Sequence, residues 1–355
     1  MRGSSVHRRD ADVAQENATP RVRASAALLI GLVAGGLCAL KAATNVVVTM
    51  DFEFFWRASR LFANGVNPYP LRPGDTGWPL PDALYYPVPA LLVMWPFQYL
   101  ILPVAAGVFF GGASAWLAWR LSEDGLWRLW ILGGPGFIMA AILGQWSPLI
   151  VVGALIPGAG FLLACKPTLG LACFAYHPTW RGALSVAAIC LLSLLIFPAW
   201  PLEWFANLRI VANHPTAEHP SPIVKPLGWA LVLALARWRQ PEARLLFAMA
   251  CVPQLLYFAD QLPLGLVARK RGEAVALGAC GIVAAVAWFM LLPEKGSHVS
   301  AAAPFVMGGL YLPALIIVLS RPNEGGTPVW LDSALAHVAV RAKAISTAFS
   351  ARIRF

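Results

Sequence analysis

The sequence predicts an all-α, polytopic membrane protein: a bundle of about 9–11 transmembrane helices forming one integral domain. Of 355 residues, 59% are hydrophobic and only 12% charged, with a mean hydropathy of +0.65; a soluble chain of this size carries far more surface charge. Apolar runs of about 15–25 residues recur, each bounded by Pro, Gly or charge, as a hydrocarbon layer about 30 Å thick requires. The net charge of +10 sits in short basic clusters beside those runs. The positive-inside rule accounts for it, and no nucleic-acid partner is implied.

Each element follows in order. The tail before residue 24 carries Arg2, Arg8, Arg9, Arg21 and Arg23 and belongs in the cytoplasm. The run from Ala24 to Val48 lacks a small-residue cleavage site before its exit and reads as a retained first span. It delivers residues 49–84, the first outer loop, to the far face. There, a period of about 100° per residue puts Glu53, Arg57, Arg60 and Asn64 on one stripe, with Phe54, Phe55, Ala58, Leu61 and Phe62 filling much of the remainder. This pattern predicts an amphipathic helix lying at the interface and ended by Gly65.

Residues 85–121 predict two short spans hinged near Pro103, followed by a near-neutral loop with Glu123, Asp124 and Arg128. A span ends at "LGQWSP" (143–148), and two Pro-bearing half-segments over 156–181 then enclose Lys166. Broken helices of this kind are tolerated where protein or a wet cavity satisfies the backbone, so a cavity is expected here. Residues 182–200 span again, and a second outer loop occupies 201–223. "RWRQPEAR" (237–244) and "ARKRGE" (268–273) are basic and cytoplasmic, so "VPQLLYFADQLP" (252–263) is an outer turn or a break in mid-membrane. Spans near 273–292 and 300–319 complete an integral domain over 24–320. The tail, 321–355, ends in "RAKAISTAFSARIRF", a basic amphipathic helix for an anionic leaflet. Both termini are cytoplasmic, in a multi-pass protein of the plasma (inner) membrane. The six cysteines all fall in apolar runs and read as small buried residues, not a disulfide or zinc framework.

Candidate chemistry is sparse. Asp51 stands about 160° from Glu53 and so outside the polar stripe. It is either an N-cap or a carboxylate at a cavity mouth serving as general base. "NPYP" (67–70) and "YYPVP" (85–89) place Asn67, Tyr69, Tyr85 and Tyr86 near an interface, as loop stiffening and anchoring or as substrate contacts. Lys166, in an otherwise apolar run, is a partner for phosphate or carboxylate, a snorkelling cation, or half of an ion pair with Asp260. Gln145 can bond a hydroxyl-rich ligand or satisfy broken backbone. His214 and His219 have a metal-compatible spacing without a supporting carboxylate and Cys pattern; with Arg209 and Lys225 they suit a lipid phosphate. No Walker sequence, dinucleotide glycine fingerprint or nucleophile elbow occurs.

In their order, Asp51-Phe52 after the first span, "GVNPY" (65–69), "YYPVP" (85–89), "GQ" (144–145) and "KPTLGL" (166–171) resemble glycosyltransferase family 87. Its members are polytopic, polyprenol-phosphate-sugar-dependent enzymes of the C-type glycosyltransferase superfamily, many of them alpha-mannosyltransferases. The resemblance covers roughly residues 25–200 and thins to "LLYFADQLPL" (255–264). Tyr86-Pro87-Val88-Pro89 stands where the family commonly has Y-P-P. The resemblance implies Asp51 as catalytic base and matches the family's lysine to Lys166 and its Gly-Gln pair to Gly144 and Gln145. It implies a polyprenyl-phosphate-sugar donor carrying mannose or another hexose or pentose, a lipid or glycan acceptor on the outer face, and no cofactor or metal. The donor phosphate would rest on Lys166 or on Arg209, His214 and Lys225, with Asn67, Tyr69, Tyr86, Gln145 and Asp260 around the substrates. The competing reading is a non-enzymatic protein that binds or translocates lipid-linked sugar. That reading calls for pseudo-symmetric halves, and no repeat is visible.

Overall fold

The structure is a computed structural model that describes residues 18–44, 51–212, 221–292, 299–324 and 333. The N-terminal tail to residue 17, the expected C-terminal basic helix, His214 and His219 lie outside the described residues. Among those described, all regular structure is helical. α1 (Pro20–Thr44) is followed by α2 (Asp51–Ala63), α3 (Val88–Met94) and α4 (Leu102–Leu121). A 3-10 helix (Leu126–Gly133) then bends by 60° into α5 (Pro135–Leu143). α6 (Ser147–Leu155), a 3-10 helix (Pro157–Cys165) and α7 (Pro167–Tyr176) come next. α8 (Trp180–Ile196) bends by 99° into α9 (Trp200–Ala212), and α10 (Pro241–Cys251), α11 (Arg271–Leu291), α12 (Ala303–Val306) and α13 (Leu312–Leu319) follow.

α1, the helix over Leu102–Asp124 and α11 are long and apolar enough to cross a membrane, and up to five spans result if each bent pair counts as one. The chain is a multi-pass membrane protein. Where hydropathy predicts nine to eleven spans, much of the bundle is instead built from short segments. Prolines are the reason: α3 to α7, α10, α12 and α13 each have Pro at the first or second position. There the missing N–H costs nothing, and before Pro135, Pro167 and Pro241 the preceding residue leaves the helical region (Gly134 ψ 161°, Lys166 ψ 81°, Gln240 ψ 131°), whereas Leu312 before Pro313 stays helical.

α1 and α4 run antiparallel through two matched Gly-x-x-x-Gly faces, Gly31 with Gly35 and Gly107 with Gly111. A Cβ on Gly35 would stand 2.6 Å from the Gly107 carbonyl oxygen, and one on Gly111 2.8 Å from that of Gly31. Lipid tails are as apolar as the helices, so close backbone approach and its dispersion gain take over from the hydrophobic effect. Arg23 fixes the register at one end. It donates to Ser122 Oγ (3.1 Å) and the Trp119 carbonyl (3.2 Å), faces Glu123 at 3.3 Å and lies over the Trp119 ring.

That end of the bundle carries a continuous charged network. Arg128 pairs with Asp124 at 3.3 Å and faces the Tyr176 hydroxyl at the end of α7. Arg244 donates to the Ala175 carbonyl (3.1 Å), Arg269 makes a two-pronged pair with Glu242, and Arg321 pairs with Glu273. The loop at 123–128, whose side charge alone does not settle, therefore shares the face of the basic segments 237–244 and 268–273.

α2 departs from the expected interfacial helix. Phe52, Phe54, Phe55, Trp56, Ala58 and even Glu53 are buried, and Glu53 is satisfied by Arg57 one turn on at 2.8 Å. An ion pair within the helix lets Glu53 enter the protein, while Arg60 and Asn64 of the same stripe stay exposed. The helix stops at Ala63, with Gly65 at φ 76°. α9 instead turns Leu202, Phe205 and Ile210 outward, while Glu203, Trp204 and Asn207 grip the segment from Asn67 to Tyr85. The six cysteines are free thiols; Cys38, Cys165 and Cys173 are buried, whereas Cys251 and Cys280 are exposed on the apolar surface.

Gly35→Leu is expected to cost about 1–3 kcal/mol through overpacking and to lower the thermal midpoint of the detergent-solubilised protein. Gly36→Leu is the control, because a Cβ there meets nothing within 4 Å. Equal losses in the two variants would show that the glycine faces do not set this packing.

Candidate functional site

Lys166 occupies the break between the 3-10 helix at 157–165 and α7. Pro167 follows it, and the proline ring excludes helical ψ from the preceding residue, which takes φ −139°, ψ 81°. The side chain thus leaves the helical stripe and turns inward. Its Nζ donates to Gln145 Oε1 at 3.1 Å and to Asp260 Oδ1 at 2.6 Å. The side chains of Lys166 and Asp260 are only 18% and 10% exposed.

The two acceptors arrive by similar local devices. Gly144 adopts the left-handed conformation (φ 66°, ψ 42°) that ends α5 and aims Gln145 across the bundle. Asp260 ends a 3-10 turn, Phe258–Asp260, in the irregular stretch after α10. Ser147 Oγ donates to the Ala259 carbonyl at 3.0 Å, tying the two junctions together. α7 rises about 15 Å from Tyr176 at the charged end to Lys166, roughly half of a 30 Å hydrocarbon layer. The ion pair therefore lies well inside the protein, away from the basic face.

Asp51 heads α2 at the opposite end. Among the described residues nothing donates a hydrogen bond to its carboxylate, so the N-cap role is not realised and its oxygens stay open. Burial pushes its pKa up to about 6, Lys166 pulls it down, and Asp260 and Asp82 push it up again. Lys166 and Asp260 thus lie within electrostatic reach of Asp51. Tyr85 and Tyr86 face the same group, and burial together with Asp51 holds both phenols well above their usual range. An aromatic cluster fixes the spacing: Phe55 packs on Trp146 and on Tyr86 at 5.0 Å, and Phe109 on Trp146 at 5.1 Å. Trp146 is the neighbour of Gln145, so α2 is welded to the segment that bonds Lys166.

Asp51, Gln145, Lys166, Asp260 and Tyr86 therefore come together. The other expected residues have different employment. Asn67 Oδ1 accepts from the Tyr69 N–H (3.1 Å) as an Asx turn, and its Nδ2 donates to Glu203 at 2.7 Å. The buried Tyr69 hydroxyl donates to the Tyr86 carbonyl at 2.9 Å. Both shape the loop that presents Tyr86. Arg209 is exposed on α9, and among the described residues no ion pair or hydrogen bond joins it to this cluster. Lys225 is half-buried after a 3-10 turn, Pro222–Val224.

Sequence reasoning missed Asp82, which is exposed, with its backbone carbonyl held by Trp78 Nε1 at 2.8 Å. It also missed the α9 clamp. Trp204 Nε1 donates to the Tyr85 carbonyl (2.9 Å), and Asn207 donates to the carbonyls of Tyr69 (2.9 Å) and Leu84 (2.8 Å). Polar residues spaced one turn apart in an otherwise apolar stretch were the available signal. Chemically, the cluster offers an open carboxylate poised near neutral pH and an ammonium with two of its three N–H donors used. Among the described residues the third donor has no acceptor, which leaves it for an anionic oxygen.

Comparison of the chain with protein-family models, curated proteins and solved structures gives no match.

Lys166→Met is expected to destabilise the fold by about 3 kcal/mol, because Asp260 is left buried without its partner. The double variant Lys166→Met/Asp260→Leu should recover most of that loss. Thermal unfolding in detergent checks this, and equal losses in single and double variants would overturn the assignment.

Proposed function

We propose that this chain is a polyprenyl-phosphate-sugar-dependent glycosyltransferase with a C-type bundle, resembling family 87, in which Asp51 is the general base. The carrying observation is an open carboxylate of raised pKa within electrostatic reach of a lysine that uses two of its three N–H donors, away from the basic face. A base must be largely ionised yet still basic at working pH, and a pKa near 6 meets both demands. The lipid phosphate rests on the third N–H of Lys166, whose charge lowers the leaving-group barrier. Asp51 takes the acceptor hydroxyl proton while that oxygen attacks the anomeric carbon. The anomeric carbon–oxygen bond to phosphate breaks, and its electron pair leaves on the lipid phosphate. A single displacement inverts the anomeric centre. Gln145 and the mouth formed by Tyr85 and Tyr86 surround the reacting sugars. Mannose or another hexose or pentose is the donor sugar class, and a lipid or glycan on the outer face is the acceptor.

The test supplies purified protein with radiolabelled polyprenyl-phosphate sugars and membrane lipid or glycan acceptors. Asp51→Asn is expected to lose about 10²–10⁴-fold in rate while keeping its thermal midpoint. Equal transfer by wild type and Asp51→Asn would remove the base assignment. Movement of lipid-linked sugar across vesicles without transfer to any acceptor would instead favour the translocating reading.

The rate should also fall as pH drops through about 6, where Asp51 takes up its proton. Asp82→Asn removes a nearby negative charge and should move that acid limb to lower pH, while Lys166→Met should move it higher. A limb that stays fixed in both variants would place the titrating group elsewhere.

A further inference from the structure

Between α10 and α11 the chain reverses inside apolar surroundings with only two short 3-10 turns, Phe258–Asp260 and Leu262–Val267. Carbonyls released by such a break have no water to bond and must find partners in the protein. Two buried glutamines supply them. Gln254 Nε2 donates to the Met249 carbonyl (2.5 Å) and to the Tyr311 hydroxyl (3.0 Å). Gln261 Nε2 donates to the Tyr257 carbonyl and to Gln254 Oε1, both at 3.1 Å. The Tyr311 hydroxyl closes the set on the Met249 carbonyl at 3.5 Å.

The residues Gln254, Gln261 and Tyr311 are 6%, 2% and 0% exposed. Tyr311 ends a single π-helical turn, Met307–Tyr311, between α12 and α13. A π turn is a rare departure from α geometry that concentrates at functional sites. Gln261 is the residue after Asp260, and Asp260 lies within electrostatic reach of Tyr311. A hydrogen-bonded path thus runs from the π turn through two amides to Gln261, whose backbone joins it to Asp260; its buried Oε1 has no hydrogen-bond partner among the described residues.

We propose that Tyr311, Gln254 and Gln261 are positioning residues. Anchored on the π turn, they hold the Asp260 hairpin at the one distance from which its carboxylate reaches Lys166. Their effect on the ion pair follows from geometry alone; their effect on sugar transfer rests on the proposed function. When the path is cut, Asp260 draws back and the Lys166 ammonium is left less restrained.

The test uses the full chain in detergent and a water-soluble amine-acylating reagent, with labelling of each lysine followed by mass spectrometry. Tyr311→Phe removes one oxygen and should raise the Lys166 labelling rate by about threefold or more, the scale of coupling between neighbours in one hydrogen-bond network. Asp260→Asn should raise it too, and the double variant should add little. Half-buried Lys41 on α1 should be unchanged. The proposal is overturned if Tyr311→Phe and Gln254→Met both leave Lys166 within twofold of wild type, if their effects multiply with that of Asp260→Asn, or if Lys41 rises equally. Should Tyr311→Phe fail to fold, Gln254→Met carries the same comparison. With polyprenyl-phosphate sugar as probe, both variants should raise the donor KM more than they lower kcat. A relay that behaves as expected in a protein that transfers no sugar would sink the enzymatic reading and leave the relay standing.

Discussion

An ammonium, a carboxylate and an amide meet inside this bundle, where each charge alone is costly to bury. Lys166 and Asp260 meet at 2.6 Å with Gln145 at 3.1 Å from the same nitrogen. Desolvating two such ions costs several kcal/mol each, and mutual attraction offsets this only with good geometry and further hydrogen bonds. The surrounding architecture supplies that geometry. The break before Pro167 releases Lys166, the left-handed Gly144 turns Gln145, and an irregular hairpin delivers Asp260. Any of these segments, straightened into regular helix, would carry its polar side chain round the cylinder and away from the others.

The same requirement explains why so much of the chain is short or 3-10 helix. A bundle of uninterrupted spans hides its backbone best in lipid, yet it cannot bring junction residues from three segments to one point. The cost of interruption is met locally. Gln254 and Gln261 bond carbonyls beside the hairpin, Ser147 bonds the Ala259 carbonyl, and Asn207 bonds the carbonyls of Tyr69 and Leu84. The long helices do the opposite task. α1 and α4 pack backbone to backbone, with Arg23 fixing their ends, and give the broken segments a rigid wall.

Charge is divided between the two ends according to task. The basic end holds its acids in pairs with arginines, so Glu242, Glu273 and Glu123 are each neutralised. Asp51 at the other end has no hydrogen-bond partner among the described residues and is raised by its own burial. A structural carboxylate is placed where it is bonded; this one is placed where it is not. That contrast, more than any motif, sets Asp51 apart from the other carboxylates of the bundle.

The membrane class, the first span, the stop at Gly144-Gln145 and the break at Lys166 were legible in the chain itself. Each depends on hydropathy or on a proline or glycine acting on its immediate neighbours. The amphipathic stripe of α2 was legible too, but its meaning was not. A stripe says which residues share a face, and only packing says that Glu53, through its pair with Arg57, meets protein while Arg60 and Asn64 stay exposed. Likewise the sequence offered Asp260 as one partner for Lys166 among several readings. The choice between residues 94 positions apart fell to tertiary structure, because it turns on how far a carboxylate stands from an ammonium. Local sterics fixed where the helices break; long-range packing decided which polar groups the breaks bring together.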